Sequence, residues 1–356
     1  MSTTLSSSTS SRELDLFLGT SRVVGQEKAR KLLAVMLARQ CEVAEGRWDR
    51  AESAIIAGWT GTGKTYLTKM MCALSGLPFA DCNATQYTES GYAGDDLSQM
   101  FLPLMESAAR LKDARSSAES QAVSSVLKRD DVQEVARLAA TGVILLDEFD
   151  KWTHRQNHQT GRLDTAIQAE LLKIIEGSVV YVSDNEDEVG IPFDTSRVLI
   201  LCAGAFVGLS RQVMKRRGEI VEDAQLGFLQ LVDHDLIEQG DFVRYGLIPE
   251  LAGRLSKMIF LRPLSKEQLA RIIAAPGGPI DELRQRFEAV SCEWRVPDAA
   301  VGHLADIALH KEVGARGLET VLWQAFGLAL FEASVAEEPT YVSLQVNHPK
   351  AEVRAA

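Results

Sequence analysis

The chain is poor in cysteine, in long apolar runs and in positive charge. Five cysteines (Cys41, Cys72, Cys82, Cys202 and Cys292) are scattered through 356 residues, and no two stand as C-x-x-C. The odd count and the scatter argue against a disulfide framework and a zinc cluster and point to reduced thiols. The longest apolar stretch, Val198 to Leu209, is too short to span a bilayer and contains glycine. No charged-then-apolar pattern opens the chain, so a cytoplasmic protein with no membrane role is expected. Lysine and arginine number 38 against 49 acids, a net charge of −11. That balance makes nucleic acid an unfavoured partner. His154 and His158 in "HRQNH" stand four apart, as a helical metal pair would, but no third ligand accompanies them. A polar loop without zinc is the better reading.

What is present is an alternation of apolar strands and helical segments. Residues 2–11 are all serine or threonine except Leu5, so residues 1–20 read as a disordered tail. "RVVGQEKARKLLAVMLARQ" (22–40) has helical periodicity. "AIIA" (54–57), "LPFADCNA" (77–84), "GVILLDEFDKW" (142–152) and "RVLILCAGAF" (197–206) read as strands, and "KMIFLRPL" (257–264) as the last of them. Strands that are apolar throughout and separated by helices predict an α/β domain, its parallel sheet covered on both faces. "TAIQAELLKIIEG" (165–177) predicts an amphipathic helix closed by Gly177. Residues 95–140 are helical in tone. From Ser265 the chain turns mainly helical, starting with a Ser265–Gln268 capping pair. The expected division is a large domain over 21–263, a small helical domain over 264–348 and a tail over 349–356.

The most informative stretch is "IIAGWTGTGKTYLTK" (55–69). Strand, glycine-rich loop and helix start is the context of a phosphate-binding loop. A helix N-terminus offers free N–H groups and partial positive charge, and glycines let the backbone curl around an anion. Thr60, Gly61, Thr62, Gly63, Lys64, Thr65 and Tyr66 are the candidate nucleotide contacts. Lys64 would reach the terminal phosphates, and the Thr65 hydroxyl would hold Mg²⁺. Asp147 and Glu148 stand at the C-terminal end of an apolar strand, where α/β sheets bind ligands. Asp147 would complete the Mg²⁺ shell, and Glu148 would polarise the attacking water. ATP with Mg²⁺ is therefore the expected nucleotide.

"GWTGTGKT" and "VILLDEFDK" resemble the Walker A and B motifs of AAA+ ATPases, and further segments resemble the ClpX unfoldases, with HslU as a cousin. These are "VVGQEKARKLLAV" (23–35), "CNATQYTESGYAGDDL" (82–97), "ELLKIIEG" (170–177), "DTSRVLILCAGAFVGL" (194–209), "YGLIPELAGRL" (245–255) and "GARGLE" (314–319), all in the family's order. The resemblance implies a homohexameric ring that uses ATP to unfold or remodel proteins. It implies that Arg254 is an arginine finger reaching the nucleotide of the neighbouring subunit, a role that can be worth roughly 10³–10⁵ in rate. It also implies that Arg316 is a sensor arginine of the small domain, and that Val24, Gly25 and Gln26 lie near the adenine. Gly91, Tyr92, Ala93 and Gly94 match the pore loop that grips substrate polypeptide.

The sequence departs from the family in places. No cysteine precedes Cys41, so the family's N-terminal zinc module is expected to be missing. The basic loop at the family's pore entrance is replaced by "VSDNEDEV" (182–189), whose 184–188 segment is acidic. Leu226-Gly227-Phe228 matches the apolar-Gly-Phe tripeptide that docks a ClpP-like peptidase, but the stretch from it to "GLIPE" is shorter than the family's. Residues 106–140 are longer than the family's equivalent, and no polar sensor-1 residue is evident in "LILCAGAF". Two functions stay open: an unfoldase that threads many substrates, with or without a peptidase, and an ATPase dedicated to remodelling one partner complex. A DNA motor predicts a basic face that this acidic chain lacks, and a scaffold without turnover sits poorly with the Asp147–Glu148 pair.

Overall fold

The computed structural model describes residues 23–87, 96–117, 129–153, 161–183, 190–218, 236–311, 314–345 and 350–355. The segments holding Tyr92 (91–94), His154 and His158, the acidic 184–188 stretch and Leu226-Gly227-Phe228 lie outside these residues. The chain divides into two units. Among the described residues, the first holds those within 27–58 and 64–261; the second holds those within 23–26, 59–63 and 262–355.

The first unit is built on a parallel five-stranded sheet. In chain order its elements are α1 (Glu27–Ala44), β1 (Ala54–Ala57), α2 (Lys64–Ser75), β2 (Phe79–Asn83), α3 (Leu102–Ser117), α4 (Arg129–Ala139), β3 (Val143–Asp147), α5 (Gly161–Glu176), β4 (Val179–Val182), β5 (Ile191–Asp194), β6 (Leu199–Gly204), α6 (Leu209–Arg216), α7 (Gln239–Tyr245), α8 (Pro249–Arg254) and β7 (Lys257–Phe260). The strand order is β2-β3-β6-β1-β7, and every pairing is parallel. All four residues of β1 and all six of β6 are buried. That is why these strands read as continuous apolar runs rather than alternating ones: helices cover both faces of the sheet.

The described residues of the long helical tract include two helices. Helices α3 and α4 pack on one another, and Lys112 pairs with Glu134 at 2.6 Å. Two short strands, β4 and β5, on either side of the acidic stretch pair antiparallel. Each is only four residues long, and the outward positions Val179 and Tyr181 are apolar, which blurs the alternation.

The second unit continues with α9 (Lys266–Ile273), α10 (Pro279–Ala289), β8 (Cys292–Trp294), α11 (Asp298–His310), α12 (Leu318–Val335), β9 (Thr340–Ser343) and β10 (Glu352–Ala355). The capping box is formed: Ser265 Oγ accepts from the Gln268 amide at 3.2 Å, and Gln268 Oε1 accepts from the Ser265 amide at 2.9 Å. Phe287, Trp294 and Phe326 form its aromatic core, with Trp294 stacked on Phe326 at 5.4 Å. The last segment is more than a tail: β10 pairs antiparallel with β9 in a three-stranded sheet.

All five cysteines are free thiols, and four are buried. Burial raises the Cys72 and Cys202 thiols and takes Cys82 to about 11. Thiolate is the reactive form, so these three should resist alkylation at pH 8 until the protein unfolds. Cysteine-by-cysteine labelling read by mass spectrometry checks this; rapid labelling of Cys202 in the native state would contradict it.

Candidate active site

The first unit supplies the acids. Strand β3 ends at Asp147, between β2 and β6 at the C-terminal edge of the sheet. Helix α2 starts at Lys64, directly after the glycine loop. Thr65 Oγ1 donates to Asp147 Oδ2 at 3.2 Å, and Asp147 Oδ1 accepts the Glu148 amide at 2.8 Å. A hydroxyl and a carboxylate oxygen this close form the hard oxygen pair that Mg²⁺ takes from protein beside phosphate oxygens, so the residues fit that ion. Lys64 is buried, and its ammonium donates to the Gly58 carbonyl at 2.7 Å. Tyr66 is half exposed on the first turn of α2.

Glu148 is exposed and has φ +57°, a conformation uncommon outside glycine. Such a residue costs on the order of 1–3 kcal/mol and survives where its surroundings over-determine it. Here the Asp147 carboxylate fixes its amide, and the following turn Phe149–Thr153 is buried apart from Lys151.

Asp150, three residues beyond Asp147, is buried. Its Oδ2 accepts the Phe206 amide at 3.0 Å. A Cβ placed on Gly204 would lie 2.7 Å from Asp150 Oδ1. The carboxylate fills the space in which a side chain from the end of β6 would stand. This explains the glycine at position 204.

The second unit holds the tip of the glycine loop. Gly61 and Gly63 have φ +78° and +96°, as a curled loop requires. Thr62 is buried, and its amide and hydroxyl both donate to the Trp59 carbonyl. Gln26, with φ +58°, accepts the Arg262 amide at 2.9 Å and donates to the carbonyls of Arg262 (2.5 Å) and Thr62 (3.4 Å). Its amide therefore ties residues 24–26 to the loop and to the start of the helical unit. Val24 and Gly25 are half-buried beside it, and Thr60 is exposed. Arg316 is exposed on a short turn, Ala315–Gly317, and the Ala315 amide donates to the Gly61 carbonyl at 3.0 Å. Gly314 must be glycine, because its φ is +57° and a Cβ would come within 3.0 Å of Gly61 and the Thr60 carbonyl.

Arg254 is the last residue of α8 and is more than half exposed. Its guanidinium donates twice to Glu176 Oε1, at 2.6 and 2.9 Å. An exposed pair of this kind contributes at most about 1 kcal/mol. Releasing Arg254 from Glu176 is thus easy, and Glu176→Gln should raise ATP turnover by no more than about fivefold. A steady-state ATPase assay checks the bound; a loss of activity would instead make Glu176 part of the site.

Helix α2, opening directly after a glycine-rich loop and bonded through Thr65 to the acid that ends β3, places the chain among the P-loop ATPases of AAA type. Comparison with known proteins agrees. Residues 49–258 match the model of the AAA domain (Cdc48 subfamily), and residues 264–339 match the C-terminal, D2-small domain, of ClpB protein. The chain is 30% identical over 337 residues to the "ATP-dependent Clp protease ATP-binding subunit ClpX 2" of Wolinella succinogenes, covering 90% of this chain and 77% of that protein. It is 30% identical to the ClpX of Azotobacter vinelandii (87% and 71% covered) and 29% identical to that of Treponema denticola (87% and 74%). The chain belongs to the ClpX family of AAA ATPases, and it is an ATP-binding enzyme that hydrolyses ATP. No helix among the described residues is long and apolar enough to cross a membrane.

Proposed function

We propose that this ATPase is a protein unfoldase or remodelling chaperone that works in the cytoplasm as a homohexameric ring and pulls polypeptide through a central pore. The observation that carries this reading is the likeness to ClpX over nine-tenths of the chain, together with an ATP site whose Thr65 and Asp147 already touch. In this reading residues 21–263 form the large domain and 264–348 the small one.

The roles follow from the chemistry of each group. Lys64 and the loop amides from Thr60 to Gly63 bind the phosphates, with Tyr66 beside them. Thr65 and Asp147 hold Mg²⁺, whose charge offsets that of the phosphate oxygens. Glu148 accepts a hydrogen bond from the attacking water and sets its line of approach. Gly25 and Gln26 bound the adenine, and Arg316 reads the phosphates in its own subunit. Arg254 serves the neighbour's site, so the monomer is inactive. Tyr92, between Gly91, Ala93 and Gly94, grips the substrate by its amphipathic ring. The acidic 184–188 stretch at the entrance favours basic segments. Leu226-Gly227-Phe228 docks a ClpP-like peptidase.

Assembly is the first test. Glu148→Gln with ATP should sediment as six copies of the 39.0 kDa chain; a monomer or dimer at micromolar concentration would contradict the ring. A second reading, an ATPase dedicated to one partner complex, draws on the acidic entrance stretch. Capture by the same variant from native lysate separates the two. A peptidase with many unrelated proteins supports the degradation motor, and one or two specific proteins support the dedicated remodeller.

A further inference from the structure

Helix α8 is six residues long, too short to hold its own direction, so its neighbours must orient the Arg254 that ends it. Leu251 and Ala252 bury one side of it. Its first turn is held by one side chain. Gln168, on α5 and fully buried, accepts the Ile248 amide on Oε1 at 2.9 Å, and Ile248 is the residue that opens α8. Gln168 Nε2 donates to the Trp152 carbonyl at 2.8 Å and to the Gly246 carbonyl at 3.2 Å.

Trp152 belongs to the turn that follows Asp147 and Glu148, so one amide joins the catalytic-acid segment to the helix bearing the finger. The same joint is tightened by Gly246, whose φ is +134° and where any Cβ would run into the Thr153 carbonyl oxygen. On its other side the Trp152 indole N–H donates to the Ala84 carbonyl at 3.0 Å. Eight residues beyond Gln168, Glu176 holds Arg254 itself, so α5 grips both ends of α8. A buried amide with its oxygen and its nitrogen both engaged is costly to leave half-paired, so this joint is stiff.

We propose that Gln168 is a positioning residue that fixes α8, and hence Arg254, to the segment following Glu148. The inference rests on the reading above that Arg254 acts on the neighbouring subunit's ATP. A displacement of about 1 Å at a catalytic group can cost 10²-fold. The three hydrogen bonds of Gln168 go to Trp152, Gly246 and Ile248, none of them assigned to nucleotide binding, so its loss should appear in kcat and not in KM.

The test is subunit mixing. Gln168→Met keeps the volume and removes the three hydrogen bonds; alone it should lose at least about 30-fold in kcat with KM for ATP within about twofold. Mixed one to one with Glu148→Gln, which cannot hydrolyse ATP but presents a well-placed Arg254, its turnover should recover. On the order of a quarter of the ring's sites then pair an intact Glu148 with a correctly held finger. An Arg254→Ala mixture is run in parallel and should recover to the same degree. Should Gln168→Met not fold, Ile248→Pro deletes the donor N–H, along with some side-chain packing, at a residue whose φ of −65° already suits proline, and the same recovery is expected.

Wild-type kcat in a folded variant would overturn the inference. So would a low kcat that mixing does not restore while Arg254→Ala is restored, because that defect lies in the variant's own site. If neither variant is restored, Arg254 does not act across subunits, and the inference falls together with the ring reading.

Discussion

Arg254→Ala is expected to lower kcat for ATP by at least about 10³-fold while leaving nucleotide affinity nearly unchanged. The physical reason is charge. As the γ-phosphoryl group leaves, negative charge spreads over its oxygens, and a guanidinium placed there stabilises the transition state more than bound ATP. Among the described residues Arg254 pairs with Glu176, and that pair is too exposed to contribute much stability. The melting temperature of Arg254→Ala should therefore stay within about 2 °C of the native protein. Turnover, binding of a fluorescent ATP analogue and thermal unfolding are the three measurements. A loss of binding in proportion to kcat would make Arg254 an ordinary ligand of ATP and not a finger.

Glu148→Gln should reduce turnover by about 10²–10⁴-fold and leave ATP bound. The amide keeps the size of the side chain and can still sit at the +57° backbone position held by Asp147, but it is a far weaker acceptor for the attacking water. Because Thr65 and Asp147 are untouched, Mg²⁺-dependent binding should survive. Turnover unchanged by this substitution would remove Glu148 from the catalytic role and leave Asp147 to be reconsidered. Asp147→Asn should instead weaken binding and its Mg²⁺ dependence together, since Asp147 is the acid that touches Thr65.

Much of this architecture was legible in the sequence because it is locally encoded. β1, β3 and β6 are buried on both sides, and burial on both sides leaves an unbroken apolar run. The glycine loop announces itself because a backbone with positive φ at Gly61 and Gly63 admits few other residues. The Ser265–Gln268 box is a four-residue pattern and forms as read.

What escaped was tertiary. Gln168 lies beside Ile167 and Leu171 on an amphipathic helix, and periodicity says nothing about a single polar residue that finds three backbone partners far along the chain. Asp150 is simply a third acid in the sequence after Asp147 and Glu148, and its burial shows only in its contact with Phe206 and Gly204. The strand β10 lacks a strong apolar alternation; it forms because β9 offers an edge. The left-handed turn at Glu148 has no local signature at all, because glutamate is not a residue that favours it.

The central claim is that ATP hydrolysis is coupled to pulling through Tyr92. The most direct measurement compares native and Tyr92→Ala rings on a stable fluorescent reporter domain carrying an unstructured basic tail, following fluorescence and phosphate release together. Tyr92 has no part in the hydrolysis chemistry assigned to Lys64, Asp147 and Glu148, so its loss should leave ATP turnover within about threefold. The account predicts that native rings extinguish the fluorescence in the presence of ATP, while Tyr92→Ala rings hydrolyse ATP and leave the reporter folded. Equal unfolding by the two rings would contradict it.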